Sequence, residues 1–274
     1  MGTSKRERQK RNRGARRDEQ ARRQQRGKVR KRGARIGIVV LLVVALVGFV
    51  FVTGNTDEVS APETTVAAPV DETTQDTAAA GPFAYGNSEC PPLDGSAVQR
   101  REFTDSHQLC IDPAKSYVAE FDTTQGSFSV RLFADRAPGT VNNFVSLARW
   151  KYFDGTSCHR VIENFVVQCG DPTATGSGGP GYSFADELPA AGEYKIGSLA
   201  MANSGPNTNG SQFFIITGND GASLPPSYSL FGEVVSGLDT AVKAMGALFN
   251  PDPAANGVPP AGEIVLNRVT IIES

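Results

Sequence analysis

From residue 116 onward, apolar side chains recur in short alternating runs at 117–121, 128–132, 159–162, 165–168, 198–202, 212–217, 230–234 and 264–272, separated by Gly, Asn, Asp and Pro. A period of two marks strands with a buried face, so the pattern predicts eight short strands and hence a barrel or sandwich. Two stretches switch to a helical period. Pro138 stands at a first-turn position ahead of Val141, Phe144, Val145 and Ala148, and Leu238, Val242 and Met245 mark a second helix. A third kind of pattern lies near the N-terminus, where residues 36–52 form a run of 17 positions without a charge or strong polar group. As a helix that run spans roughly 25 Å, at the short end of what crosses a bilayer. No internal repeat is visible.

Charge sharpens the reading of that apolar run. Residues 1–35 hold 16 Lys/Arg against three acidic residues, so a formal net charge of −2 for the whole chain conceals a strongly basic tail and an acidic remainder. Basic residues beside a spanning helix stay on the cytoplasmic side, and Arg35 can snorkel to lengthen the span. The basic region is long for a signal peptide and no small-residue cleavage site follows directly, so a retained anchor is expected over a cleaved leader. Anionic-lipid attraction and topology account for the basic run, and nucleic acid is not expected as a partner. Residues 54–88, rich in Thr, Ala, Pro, Asp and Glu, lack the apolar content to offset ordering entropy and read as a linker. The expected organisation is a cytoplasmic tail over 1–35, a transmembrane helix over 36–53, a disordered linker over 54–88, a Cys-containing extension over 89–115 and a folded domain over 116–274. The expected location is the cell membrane, single-pass, with the folded domain outside and the chain acting as a monomer.

Four cysteines in an oxidising compartment point to disulfides. They allow three pairings. Local spacing favours Cys90 with Cys110 and Cys158 with Cys169, with buried free thiols as the other reading. Only two histidines are present, His107 and His159, and there is no CxxC, HExxH or phosphate-loop motif, so neither a metal nor a cofactor is expected. A Cys158/His159 thiol protease is disfavoured because adjacent residues on a strand point to opposite faces.

Residues 158–171 read as two strands around a tight Glu163-Asn164 turn. Symmetric pairing about that turn places 160 opposite 167 and 158 opposite 169, a register in which Cys158 and Cys169 can bridge across the strands. Residues 199–215 follow as a strand, a Gly/Asn/Pro loop and a second strand, and Phe231-Gly232-Glu233-Val234 comes later. Together these segments resemble the signature motifs of the cyclophilin family of prolyl isomerases, over about residues 116–273. The resemblance implies a mainly-β fold, a closed eight-stranded antiparallel β-barrel capped by two α-helices. It implies Arg160 as the catalytic arginine and Phe165, Val166, Phe214 and Leu224 as the proline pocket. It also implies Gln168, Ala202, Asn203 and Gln212 along the substrate groove, His159 and Tyr228 at the pocket rim, and the Gly-rich stretch 176–181 beside the groove. Proline-containing polypeptides are the implied clients.

The residue types suit that chemistry. Rotation about an X-Pro bond is opposed by amide resonance worth roughly 18–20 kcal/mol, and no bond is broken and no proton transfer is required. A permanent guanidinium that donates to the prolyl nitrogen as it pyramidalises stabilises the twisted amide more than either planar form. His159 is not assigned acid/base work. The alternative is a membrane-tethered module or chaperone that holds proline-containing segments without essential turnover; taken alone, an Arg on a half-buried strand is ordinarily an ion-paired surface group. Two departures stand out: the single Trp, Trp150, closes the first helix rather than standing at the pocket rim, so strong cyclosporin binding is not expected, and Cys158 and Cys169 replace what is commonly an aromatic and a glycine.

Overall fold

The computed structural model describes residues 83–274. The expected tail, transmembrane helix and most of the linker lie outside the described residues, and among the described residues no helix is long and apolar enough to cross a membrane.

Nine strands form one antiparallel sheet: β1 (Tyr117–Thr123), β2 (Gly126–Leu132), β3 (Thr156–Ser157), β4 (Arg160–Ile162), β5 (Val166–Cys169), β6 (Ser198–Met201), β7 (Phe213–Ile216), β8 (Leu230–Ser236) and β9 (Val265–Glu273). The order is β3-β9-β1-β2-β8-β6-β7-β5-β4, so the sheet is open, with β3 and β4 at its edges. This corrects the expected closed eight-stranded barrel. The extra strand is the two-residue β3, too short to read from periodicity. The closing ladder is replaced by a loop: on β4, the N–H of Val161 donates to Gly257 O at 3.0 Å, and the N–H of Asn250 reaches Val161 O at 3.5 Å. The free edge of β4 is thereby covered rather than left to pair with another chain.

Helix α1 (Pro138–Arg149) opens on Pro138 as expected, but every residue from Gly139 to Ala148 is buried, not one face alone. Residues 83–115 cover its outer side. Cys110 N–H donates to Asn142 Oδ1 at 2.7 Å, Asn142 Nδ2 donates back to Gln108 O at 2.9 Å, and Arg100 N–H donates to Trp150 O at 3.0 Å. The first-turn donors of α1 are met from a distance by Glu187, whose carboxylate accepts from the N–H groups of Gly139 and Thr140 at 3.0 and 2.7 Å and from the Thr140 hydroxyl at 2.7 Å. The second expected helix is broken: Leu238–Val242 form a wide π turn that runs into the short helix Lys243–Gly246, and Val242 and Met245 are buried as expected. Another short helix, α2 (Asn219–Ala222), lies between β7 and β8.

Alternation along β5 to β8 divides two apolar clusters. Val167, Leu199, Met201, Phe213, Ile215 and Phe231 point into the main core, where Phe121 stacks on Phe128 at 4.5 Å and Phe144 meets Phe213 edge-on at 5.7 Å. Their neighbours Val166, Ala200, Phe214, Ile216 and Leu230 point to the other face and form a second, smaller cluster with Phe133 and Tyr194. Strands buried on both faces read as continuous apolar runs, as Phe213-Phe214-Ile215-Ile216 does. The second cluster is the floor of the site described next.

Candidate active site

The β4–β5 hairpin carries the charged centre of the site, and its register differs from the expected one. Arg160 lies opposite Gln168, not 167, because residues 163–165 form a three-residue loop with Asn164 in the left-handed region at φ 54°. Asn164 is fixed there by α2: its carbonyl accepts the Asp220 N–H and its Oδ1 accepts the Asn219 N–H, both at 3.1 Å. On the other side of Arg160, the His159 N–H also donates to Gln168 O at 3.1 Å. Two residues thus face one, which is a β-bulge. Beyond the bulge Cys158 comes level with Cys169, and the two are joined in a disulfide with Cα atoms 4.0 Å apart. A second disulfide joins Cys90 to Cys110, so the favoured pairing is the one formed.

Arg160 begins a chain of side-chain hydrogen bonds that runs across the site. Its Nη1 donates to Gln168 Oε1 at 3.2 Å, Gln168 Nε2 donates to Gln212 Oε1 at 2.9 Å, and Gln212 Nε2 donates to Gly178 O at 2.9 Å. Burial lowers the Arg160 pKa from its ordinary value, and the nearby Tyr228 hydroxyl opposes that shift; the guanidinium stays charged at neutral pH.

Beside it lies a cavity of about 310 Å³ lined by His159, Arg160, Phe165, Val166, Gln168, Ala202, Asn203, Phe214, Leu224 and Tyr228, together with Gly176 and Val258. Ten of the eleven residues named from the sequence for catalysis and substrate contact are therefore brought together here. The eleventh, Gln212, lies in an adjoining, more polar cavity of about 500 Å³ with the loop 176–183, and Gln168, Gly176, Ala202 and Asn203 border both. The apolar floor is braced by specific contacts: the Phe214 ring meets Tyr228 edge-on at 5.3 Å, and the Tyr194 hydroxyl donates to Tyr228 O at 2.6 Å while accepting from its N–H at 3.0 Å. Tyr194 and Val258 were not singled out from the sequence, since neither stands in a signature segment.

His159 is 4% exposed with no hydrogen-bond partner at either ring nitrogen. Burial and the Arg160 charge lower its pKa against the opposing pull of Asp171, which keeps the ring neutral at neutral pH. Asp171 organises the loop above the groove. Its carboxylate accepts from the N–H groups of Thr173, Gly176 and Gly178 at 2.7, 2.7 and 3.0 Å and from the Thr173 hydroxyl at 2.7 Å. Burial alone would raise its pKa, but those bonds outweigh it and hold the carboxyl at about 2. Among the described residues no cluster of His, Cys, Asp or Glu could hold a metal ion.

An apolar pocket on the second cluster, bordered by a guanidinium that Gln168 holds, is a site built to grip a small apolar group beside a fixed cation. Residues 118–261 match the family model described as cyclophilin type peptidyl-prolyl cis-trans isomerase/CLD. The chain belongs to that family. It is 41% identical over 170 residues to the Mycobacterium tuberculosis "Probable peptidyl-prolyl cis-trans isomerase B", covering 56% of this chain and 54% of that one. It is 42% identical over 157 residues to the Aspergillus fumigatus "Peptidyl-prolyl cis-trans isomerase-like 1", covering 56% of this chain and 94% of the relative. The chain thus spans about half the length of the mycobacterial relative it matches. The crystal structure of a Cryptosporidium parvum cyclophilin type peptidyl-prolyl cis-trans isomerase is similar at a TM-score of 0.51 and 30% identity, covering 58% of this chain and 99% of that one. The same protein has also been solved in the presence of the dipeptide Ala-Pro.

Proposed function

We propose that this chain is a peptidyl-prolyl cis-trans isomerase acting on proline-containing segments of exported polypeptides, with Arg160 as its electrostatic centre. One observation carries the reading: a guanidinium held by Gln168 at 3.2 Å stands over a pocket of about 310 Å³. That volume has room for a proline ring resting on Val166, Phe165 and Phe214 together with a flanking part of the peptide. With the ring held, the acyl side of the X-Pro bond turns. As conjugation is lost, the lone pair localises on the prolyl nitrogen and accepts a hydrogen bond from Arg160, a contact unavailable in either planar isomer. The neutral His159 forms a wall that adds no charge to compete for the peptide. Gln212 and Asn203 extend the groove on either side of Gln168 for an extended peptide backbone. The expected function-level test is prolyl exchange in a short Ala-Pro peptide followed by NMR. Acceleration over the uncatalysed tens of seconds supports the reading; unaltered exchange while the peptide binds makes the domain a binding module.

We further propose the bacterial, membrane-anchored arrangement, with residues 36–53 as anchor, the tail cytoplasmic, and a monomeric catalytic domain outside. The basic tail beside an apolar run and two disulfides in the body support it. Protease added to intact cells should remove the folded domain and leave the tail protected; a protected domain would contradict this topology.

A further inference from the structure

The catalytic value of Arg160 rests on the direction of its guanidinium, and Gln168 holds only one edge of that plane. The opposite edge is held by a residue 96 positions away. Arg160 Nε donates to the backbone oxygen of Asn256 and Nη2 to its Oδ1, both at 3.1 Å. Three of the five guanidinium N–H groups are thus engaged, leaving one on each Nη without a protein partner among the described residues. A two-pronged contact of this kind fixes a plane as well as a position.

The segment that supplies Asn256 is itself well seated. Asn250 Nδ2 donates to Pro259 O at 2.7 Å, Asp252 Oδ1 accepts from Ala254 N–H at 2.9 Å to start the turn Pro253–Ala255, and Gly257 O accepts from Val161 on β4. Gly257 comes so near that strand that a Cβ on it would lie 2.6 Å from Val161 O. Asn256 follows the turn in the left-handed region, φ 50°, where Asn is among the few tolerated side chains. Two positions on, Val258 enters the wall of the cavity beside Arg160. The loop that closes the sheet edge therefore also reaches the reacting centre.

We infer that Asn256 is a positioning residue: it holds the Arg160 guanidinium in one plane before substrate arrives, so that its free N–H groups meet the prolyl nitrogen without first being ordered. The inference rests on the isomerase reading for its kinetic consequence and on geometry alone for its structural one. The decisive variant is Asn256→Gly, which deletes the side-chain acceptor and keeps the left-handed backbone. The full chain is assayed for isomerisation alongside Arg160→Ala, with thermal unfolding and NMR of the Arg160 side chain measured on the same samples. Expected are a kcat about tenfold lower with KM and unfolding temperature unchanged, guanidinium proton signals that are distinct in the wild type and averaged in the variant, and recovery of most of the loss in Asn256→Asp. Wild-type turnover in Asn256→Gly with unchanged guanidinium signals overturns the inference. So does a loss of activity that only tracks a loss of stability and is not recovered by Asp. A wild-type chain without isomerase activity removes the isomerase reading instead, and the guanidinium signals then decide the positioning role by themselves.

Discussion

The Cys158–Cys169 disulfide sets a testable link between stability and the site. It closes a loop with a sequence separation of 11 that contains β4, the Asn164 turn and β5 up to Gln168. Restricting the unfolded chain over a loop of that length is worth about 3 kcal/mol in the loop-entropy model. Both sulfurs are buried, at 2% and 0% residue exposure, so replacement by alanine also leaves small voids costing up to about 1 kcal/mol each. The double variant Cys158→Ala/Cys169→Ala should therefore unfold in urea at a midpoint lower by about 1–2.5 M, given an m-value of about 2–3 kcal/mol/M for a body of this size. Because the bridge joins residues two positions before Arg160 and one after Gln168, isomerisation should fall as well, by several-fold in kcat, while the folded fraction stays high in the absence of urea. A midpoint shifted by less than about 0.3 M, with turnover intact, would refute the reasoning.

Two further outcomes follow from the ionisable groups. Burial, then the Arg100 charge, holds His107 down at about 4, below the 6.5 of an unfolded histidine, so its contribution is complete above pH 6.5 and is lost as pH falls from there to 4, by about 3 kcal/mol. Thermal unfolding of wild type against His107→Phe between pH 7 and 4 checks this, with a flatter profile expected in the variant. Asp171→Asn should release the loop it organises, raising KM for peptide several-fold and abolishing amide protection at Gly176 and Gly178, and the wild-type protection should itself fade only as pH drops below the ordinary carboxylate value toward 2.

Much of this site was legible in the chain through the resemblance of residues 158–171 and 199–215 to the cyclophilin signature segments, while the alternation of side chains along a strand tells only which face each residue takes. The run Phe213-Phe214-Ile215-Ile216 commits Phe214 to one face and Phe213 to the other, and the same rule separates Val166 from Val167. What periodicity does not carry is a change of register. A symmetric hairpin about Glu163-Asn164 pairs Arg160 with 167, whereas the three-residue loop 163–165, with Asn164 in a left-handed conformation, pairs it with Gln168, and the bulge at His159 then brings Cys158 level with Cys169. Asn256 and Val258 were invisible for a different reason: they sit in an irregular loop whose place is set by backbone bonds to β4, and no sequence period announces such a bond. Likewise the helical stripe of Val141, Phe144, Val145 and Ala148 describes the inner side of α1, while its buried outer side depends on the extension that covers it, seen in Gln108 and Cys110 bonding to Asn142.

The central claim is that a fixed guanidinium beside an apolar pocket speeds rotation about an X-Pro bond. Its most direct test is the NMR exchange rate of an Ala-Pro peptide with wild-type chain and with Arg160→Ala, peptide affinity being measured on both. The account predicts rapid exchange with the wild type, a loss of about two to three orders of magnitude in the variant as for removal of a main electrostatic donor, and affinity changed by only a few-fold. Equal acceleration by both proteins would contradict it.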